Sequence, residues 1–381
     1  MKKKNIVVLI DWYLPGNKAG GPVKSVYSML SLLRDDYNFS VITTNHDLGS
    51  LKPYPNIKSD VWTSYDGIPV YYFSKEALKS KKLIEVINGL NPDIVYLNSF
   101  WSYYFSLLPL RAEKAGKLKC DLVLAPRGML GKGALSIKPL KKKIFLSLLK
   151  FVNLHAKVVF HATTRDEEKE IISFFKKANV RIASNINSTP ILKNKIITKQ
   201  PGSIKFFYLS RIARVKNLYY ALQALLEIPS NVDVEYDIYG SLEDKIYWHE
   251  CEKIIKQLPS SVKVNYKGEL SFEEVQSIIS KYHFLLLPTL NENFGHSIAE
   301  TLRSACPVII SNNTPWNGVN SAKCGYAIDL KEKNKFIKAI NEAIQLNEAE
   351  YASMSQNCIN FMEQHTDFEK DRNAYKKLFN Q

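Results

Sequence analysis

Short apolar runs alternate with amphipathic helical stretches along the whole chain, and the pattern is interrupted once and then restarts. Ile6–Ile10, Phe39–Thr43, Ile94–Leu97, Leu122–Ala125 and Val158–His161 read as strands, with helical stretches such as Val23–Leu33 and Lys81–Leu90 between them. Strands that alternate with helices in this way imply a parallel sheet covered by helices. Polar, weakly periodic residues from Asn187 to Ser203 then read as a linker, ending in Thr198-Lys-Gln-Pro-Gly-Ser203. Beyond it the pattern resumes with Ile204–Leu209, Val234–Tyr239, Val262–Lys267, Phe284–Leu287 and Val308–Ser311. The expectation is an α/β protein of two doubly wound lobes, with the crevice between them as the ligand site. At 381 residues the chain is long enough to give each lobe its own core.

Composition narrows the function classes. Five scattered cysteines form no Cys-x-x-Cys pair, which argues against a disulfide framework or a structural zinc site and fits a reducing cytosol. The basic start Met1-Lys-Lys-Lys precedes an apolar core of only Ile6 to Ile10, too short for a signal peptide, and reads as the first buried strand. No apolar run is long enough to span a bilayer. The formal charge of +15 is uneven: residues 1–190 carry 29 Lys+Arg against 15 Asp+Glu, and the remainder is nearly neutral. The densest basic part, residues 134–152, joins a lysine cluster to an apolar helical pattern at Ile144, Phe145, Leu148, Leu149 and Val152. Such a helix either lies on an anionic membrane surface or faces the core with a solvated lysine side.

The chemistry concentrates in Pro288-Thr-Leu-Asn-Glu-Asn-Phe-Gly-His-Ser-Ile-Ala-Glu300. Phe284–Leu287 reads as a buried strand that Pro288 ends, Gly295 as a turn, and Ser297 to Ser304 as a helix. Glu292 then lies on a loop and Glu300 in the helix, and the turn lets both carboxylates face one crevice. The backbone N–H groups of Phe294, Gly295, His296 and Ser297 fall at the helix's positive end, where phosphate oxygens bind well. Two acceptors for sugar hydroxyls beside a phosphate cradle describe a site for a sugar nucleotide.

The words around that pair, Glu292-Asn-Phe-Gly-His-Ser-Ile-Ala-Glu-Thr-Leu302 and Ala305-Cys-Pro-Val-Ile-Ile-Ser311, resemble the Glu-x7-Glu signature of family 4 retaining glycosyltransferases. The resemblance extends over essentially the whole chain. It implies the GT-B fold, two Rossmann-like domains facing a central crevice: an acceptor domain over 1–186, a linker over 187–203 and a nucleotide-sugar domain over 204–359. A C-terminal helix over 360–381 would cross back to the first domain, and Leu346 to Asn380 offers the residues for it. Asn313-Thr-Pro-Trp316 and Pro126-Arg-Gly-Met-Leu130 resemble a subgroup that builds bacterial surface polysaccharides: exopolysaccharide, capsule or O-antigen of lipopolysaccharide.

Residue by residue, Ser210-Arg-Ile-Ala-Arg-Val-Lys-Asn217 resembles the segment that grips the donor diphosphate, which assigns that work to Arg211 and Lys216. A forked guanidinium and a mobile ammonium suit a leaving group that gains negative charge. Lys18-Ala-Gly-Gly-Pro-Val-Lys24 resembles the glycine loop after the first strand, with Gly20 and Gly21 admitting close backbone approach. Tyr266-Lys-Gly-Glu-Leu270 resembles the turn facing the nucleobase and assigns Gly268 and Leu270 to it. Many relatives place a histidine in the first lobe near the transferred sugar, whereas the corresponding Ala125-Pro-Arg-Gly-Met129 offers Arg127, an acceptor-side candidate that cannot act as a base near neutral pH. His155 and His161 flank another strand of that lobe and read as buried structural residues more readily than as catalytic ones.

The implied reaction is retaining transfer of a hexose-type sugar from a nucleoside-diphosphate sugar, with Glu292 at the sugar and Glu300 at the ribose, to a glycan or lipid-linked acceptor. No Asp-x-Asp pair is present and the seven histidines show no ligand spacing, so metal independence is expected, with no cofactor beyond the donor substrate. The expected location is cytoplasmic, peripheral at the inner face of the membrane, with no nucleic-acid partner. The competing readings are a sugar-nucleotide epimerase of the same fold, a basic protein binding nucleic acid or membrane without catalysis, and a silent scaffold.

Overall fold

The computed structural model describes residues 2–131, 140, 142, 146, 147, 149, 153–192 and 197–380. Most of the basic stretch 134–152 lies outside the described residues. Among those described, no helix is long and apolar enough to cross a membrane. The chain divides into two compact units, Met1–Ser188 with Phe368–Gln381, and Thr189–Asp367.

The first unit holds, among the described residues, an eight-stranded sheet in the order β3-β4-β2-β1-β5-β6-β7-β8. Its strands are β1 (Asn5–Leu9), β2 (Asn38–Thr44), β3 (Trp62–Tyr65), β4 (Ile68–Phe73), β5 (Ile94–Leu97), β6 (Asp121–Leu124), β7 (Val158–Ala162) and β8 (Asn179–Ile182). β1 lies parallel to both β2 and β5, with Val7 opposite Ser40 on one side and Val95 on the other. Strand order reverses at β1, and in such sheets ligands bind outside the carboxyl ends at that point. The apolar sequences of β1, β5 and β7 follow from burial on both faces. β3 is the exception to the parallel pattern. It pairs antiparallel with β4 through the two-residue turn Asp66-Gly67, both residues at positive φ (49° and 77°).

Residues 346–380 form two helices rather than one, Glu348–His365 and Phe368–Phe379, separated by an extended Thr366. The break falls inside the stretch expected as a single terminal helix. The second of the two belongs to the first unit, where it buries Tyr375, Leu378 and Phe379. Asp36 accepts from Arg372 Nε at 2.6 Å and pairs with Lys376 Nζ at 2.9 Å, and Lys4 Nζ donates to the Phe379 carbonyl at 3.0 Å.

The second unit is built on a parallel sheet, six strands among the described residues, in the order β11-β10-β9-β12-β13-β14. The strands are β9 (Ser203–Leu209), β10 (Asp233–Tyr239), β11 (Val262–Gly268), β12 (Phe284–Leu287), β13 (Val308–Ser311) and β14 (Gly325–Ile328). Order reverses between β9 and β12, whose Phe206 and Phe284 pair. The core strands carry buried tyrosines whose hydroxyls find backbone acceptors: Tyr236 donates to the Leu286 carbonyl and Tyr208 to the Arg211 carbonyl, each at 3.0 Å. These bonds fix the ends of β9 and β12, and the candidate site hangs on those ends.

Candidate functional site

In the second unit, β9 releases the chain at Ser210 into a short 3-10 turn, Arg214–Lys216, which a left-handed Asn217 (φ 56°) joins to the helix Leu218–Leu225. The carbonyl of Val215 in this turn accepts from the Leu290 N–H at 2.8 Å and from Thr289 Oγ1 at 3.1 Å. The loop after β9 is therefore tied by backbone to the loop after β12. That tie brings Lys216 Nζ to 2.5 Å from Glu292 Oε1, with the two side chains only 13% and 11% exposed. Glu292 is held from the other side by its own N–H, which donates to the Asn313 carbonyl at 3.1 Å beyond β13.

Gly295 (φ 77°) starts the helix His296–Arg303 and brings no side chain to cap it. A Cβ there would stand 3.1 Å from Ile298 and 3.3 Å from the Trp316 indole nitrogen, so both conformation and space require glycine. Trp316 Nε1 donates to the Phe294 carbonyl at 2.5 Å, and its ring packs edge-on against Phe294, whose ring also lies 4.7 Å from that of His296. The indole thus sets the direction of the helix start and of the amides of His296 and Ser297. Glu300 lies one turn further and is buried, 3% exposed.

The remaining expected residues of this unit separate into two groups. Arg211 ion-pairs with Glu243 rather than with Glu292, and remains about two-fifths exposed. Its neighbour Arg214 is turned away, bound in a fork to Glu250 at 2.7 and 2.9 Å. Gly268 (φ 82°) ends β11, and its carbonyl accepts from the Gly240 N–H at 2.8 Å. Leu270 packs against the unit's core just beyond it. Gly240 itself was not singled out from sequence. At φ 143° it lies against β9 so closely that a Cβ would be 1.8 Å from the Ser210 carbonyl oxygen. A Tyr-Gly step at a strand end is ordinary in sequence, and only the three-strand contact shows what it does.

In the first unit, Gly20 (φ 64°, ψ −121°) precedes the helix Gly21–Leu33, and a Cβ on it would meet nothing within 4 Å. Backbone conformation alone demands glycine there. The loop before it is anchored on Asp47, whose carboxylate accepts from the N–H groups of Asn17, Lys18 and Leu48 at 2.9, 3.2 and 2.8 Å. Asp11, a second residue that sequence reasoning passed over, follows β1 and accepts from Ser102 Oγ at 2.7 Å. Burial pushes its carboxyl above the usual range, against the opposing hydrogen bonds of Ser102 and Ser99.

Arg127 holds a left-handed backbone (φ 55°), and its guanidinium is committed inside the unit. It donates to Asn185 Oδ1 at 2.6 Å, to Asn98 Oδ1 at 2.8 Å and to the Tyr96 hydroxyl at 2.9 Å. Its Nε, buried and without a hydrogen-bond partner among the described residues, is a donor these bonds leave unspent. The chain of bonds continues from Tyr96 to His161 Nδ1 at 2.7 Å, and from His161 Nε2 to the Ala183 carbonyl at 2.7 Å. Since a carbonyl only accepts, Nε2 carries the proton and Nδ1 receives the tyrosine's. His161 therefore faces the protein on both sides, and His155 stacks beside Phe175 with ring centroids 4.8 Å apart.

Burial, reinforced by the Arg127 charge, lowers the His161 pKa from 6.5 to about 3. The folded unit keeps this imidazole neutral while the unfolded chain protonates it below pH 6.5. Its contribution is thus complete above that pH and is lost as pH falls, at roughly 1.4 kcal/mol per pH unit, or about 2 kcal/mol by pH 5. His161→Gln is expected to flatten the stability of the first unit between pH 6.5 and 5, as measured by urea denaturation at each pH. An unchanged slope in the variant would show that the imidazole is not held neutral.

Taken together, the second unit presents an ammonium, a carboxylate and an uncapped helix start along the carboxyl ends of β9, β12 and β13. Such an edge can receive an anion and, next to it, a hydroxyl-bearing group. Residues 192–361 match the model of the family "Glycosyl transferases group 1". No curated protein sequence is significantly similar to the chain. Among solved structures, sucrose-phosphate synthase from Thermosynechococcus elongatus is 14% identical with a TM-score of 0.71, over 99% of this chain and 98% of that one. HepE from Anabaena, in complex with UDP and glucose, is 15% identical with a TM-score of 0.68, over 98% of each chain. A mutant of TarM from S. aureus, in complex with Fondaparinux, alpha-GlcNAc-glycerol and UDP, is 12% identical with a TM-score of 0.67, over 99% of this chain and all of that one. At these identities the likeness establishes a shared fold.

Proposed function

From the match of residues 192–361 to the glycosyl transferases group 1, in a chain with the GT-B fold, we propose that this protein is a glycosyltransferase that moves a hexose-type sugar from a nucleoside-diphosphate sugar to a glycan or lipid-linked acceptor. The observation that carries the proposal is the largely buried Lys216–Glu292 pair beside the helix start at Gly295. Lys216, Arg211 and the amides of His296 and Ser297 would hold the donor diphosphate, Glu292 a hydroxyl of the transferred sugar, and Glu300 the ribose. Gly268 and Leu270 would face the base, and Gly20 and Gly21 the phosphates or sugar. UDP is the first nucleotide to test, since two of the structures of this fold, those of HepE and TarM, hold it.

In the proposed reaction the bond from the anomeric carbon to the diphosphate oxygen breaks, and its electrons stay with the departing nucleoside diphosphate. The acceptor hydroxyl attacks from the same face, so configuration is retained, and its proton passes to the leaving phosphate oxygen. The enzyme's work is then to stabilise charge on the diphosphate, where removal of one charge-assisted donor typically costs about 10²–10³ in rate. Arg127 contributes through Asn98, Asn185 and Tyr96, by fixing strand ends of the first unit. We place the activity in bacterial surface-polysaccharide synthesis at the inner face of the membrane, on the strength of the sequence words Asn313–Trp316 and Pro126–Leu130 and the basic first half.

A thermal-shift and donor-hydrolysis screen against UDP-, GDP-, ADP-, TDP- and CMP-sugars, with EDTA and with Mg²⁺, tests this. The expected result is selective stabilisation by one donor and slow hydrolysis that EDTA does not suppress, the first-formed sugar keeping the donor's anomeric configuration by NMR. If no donor shifts the melting temperature, the transferase reading fails and a salt-dependent binding protein takes its place.

A further inference from the structure

A cavity of about 280 Å³ opens in the first unit at the carboxyl ends of β2 and β4. Phe73, Leu78, Tyr104 and Thr44 form its walls, and His46, Lys75 and Lys79 supply its charged and polar lining. Neither lysine makes an ion pair among the described residues, and both are exposed. Lys79 is also the N-cap of the nine-residue helix Ser80–Asn88, which no side chain caps. His46 donates from Nδ1 to the Asp47 carbonyl at 3.2 Å, which leaves Nε2 for a ligand. Two carboxylates are close in sequence: Asp47 is engaged by the N–H groups of Asn17 and Lys18 in the glycine loop and of Leu48 beside it, and Glu76 is exposed beside Lys75 and does not line the cavity.

Two ammonium groups without ion pairs, one of them at a helix start, around a small chamber with an aromatic and an aliphatic wall, fit an anionic oxygen cluster attached to a compact body. We propose that this cavity is a subsite for a phosphate-bearing sugar, and that the acceptor of this transferase carries its phosphate there. The proposal rests on the transferase reading above. A volume near the lower end of small-molecule sites matches one phosphate and one sugar ring, not a longer glycan. His46 adjoins Asp47, the residue that anchors the glycine loop, so a phosphate held here would sit next to the segment expected to border the reaction.

The test uses the full chain saturated with UDP, which occupies any phosphate site in the second unit. Glucose, glucose 1-phosphate and decyl phosphate are titrated by calorimetry into the wild type and the Lys75→Glu/Lys79→Glu variant. Glucose 1-phosphate or decyl phosphate is expected to bind at least tenfold more tightly than glucose, with that advantage lost in the variant and reduced at high salt. Preference for glucose 1-phosphate would identify a soluble sugar phosphate, and preference for decyl phosphate a lipid-linked one. Binding no tighter than glucose, or binding unchanged by the double substitution, overturns the proposal. UDP stabilisation, read separately, distinguishes this failure from a failure of the transferase reading.

Discussion

Lys216→Ala is expected to lower kcat/KM by roughly 10²–10³ and to weaken UDP binding, because it removes the ammonium proposed to take up charge on the departing diphosphate. The same substitution leaves Glu292 largely buried with no counter-charge, and breaking a buried pair from one side costs about 3–5 kcal/mol of stability. Activity must therefore be separated from folding. Glu292→Gln keeps the shape of the carboxylate and its backbone anchor to Asn313, and is expected to lower kcat at least tenfold with UDP affinity nearly unchanged. The double variant Lys216→Ala/Glu292→Gln removes both charges together. It should recover stability relative to Lys216→Ala alone but no activity. If the pair were only a structural tie, the double variant would recover stability, and turnover per folded molecule in all three variants would stay within a few-fold of the wild type.

Gly240→Ala is expected to destabilise the second unit by more than about 3 kcal/mol, beyond the range of ordinary surface substitutions. The contact is backbone to backbone, so no side chain can turn aside: the new methyl would occupy the space of the Ser210 carbonyl. β9 and β10 can separate only by giving up the Ser210 N–H bond to Tyr239 and the Ile212 N–H bond to Ser241, both of which steer the chain into the turn that carries Lys216. Donor affinity should fall with stability. Denaturant unfolding of the variant, followed by UDP titration of whatever remains folded, checks both. A variant with wild-type stability would mean that the end of β9 is not pinned.

The strands whose entire surface is buried were legible in the sequence, since Phe284–Leu287 and Val308–Ser311 are unbroken apolar runs between turn residues. The β3–β4 hairpin was passed over although Asp66-Gly67 is a strong local turn signal, because β3 alternates weakly and is half-exposed. β8 and β14 escaped for a related reason: each is a four-residue edge strand with a mixed burial pattern. In the site, Glu292 and Lys216 were visible as separate words, but their contact depends on the Val215 carbonyl, which no side-chain pattern records. Arg127 was visible as a charged residue in a Pro-Arg-Gly step. Its partners come from other segments of the chain, at residues 96–98 and 185, so only tertiary structure shows where its donors go. Lys75 and Lys79 looked like ordinary surface lysines, as each is when taken alone.

The helix Phe368–Phe379 belongs to a unit whose other residues end at Ser188. A ribosome translating this message finishes every strand of the first unit, then makes the whole of the second, before supplying the helix that covers Tyr37 and accepts Lys4. Until then the nascent first unit exposes the apolar surface, Tyr37 and Tyr96 included, that will pack on Phe379 and its neighbours Tyr375 and Leu378. Premature termination anywhere in the second unit would thus also damage the first.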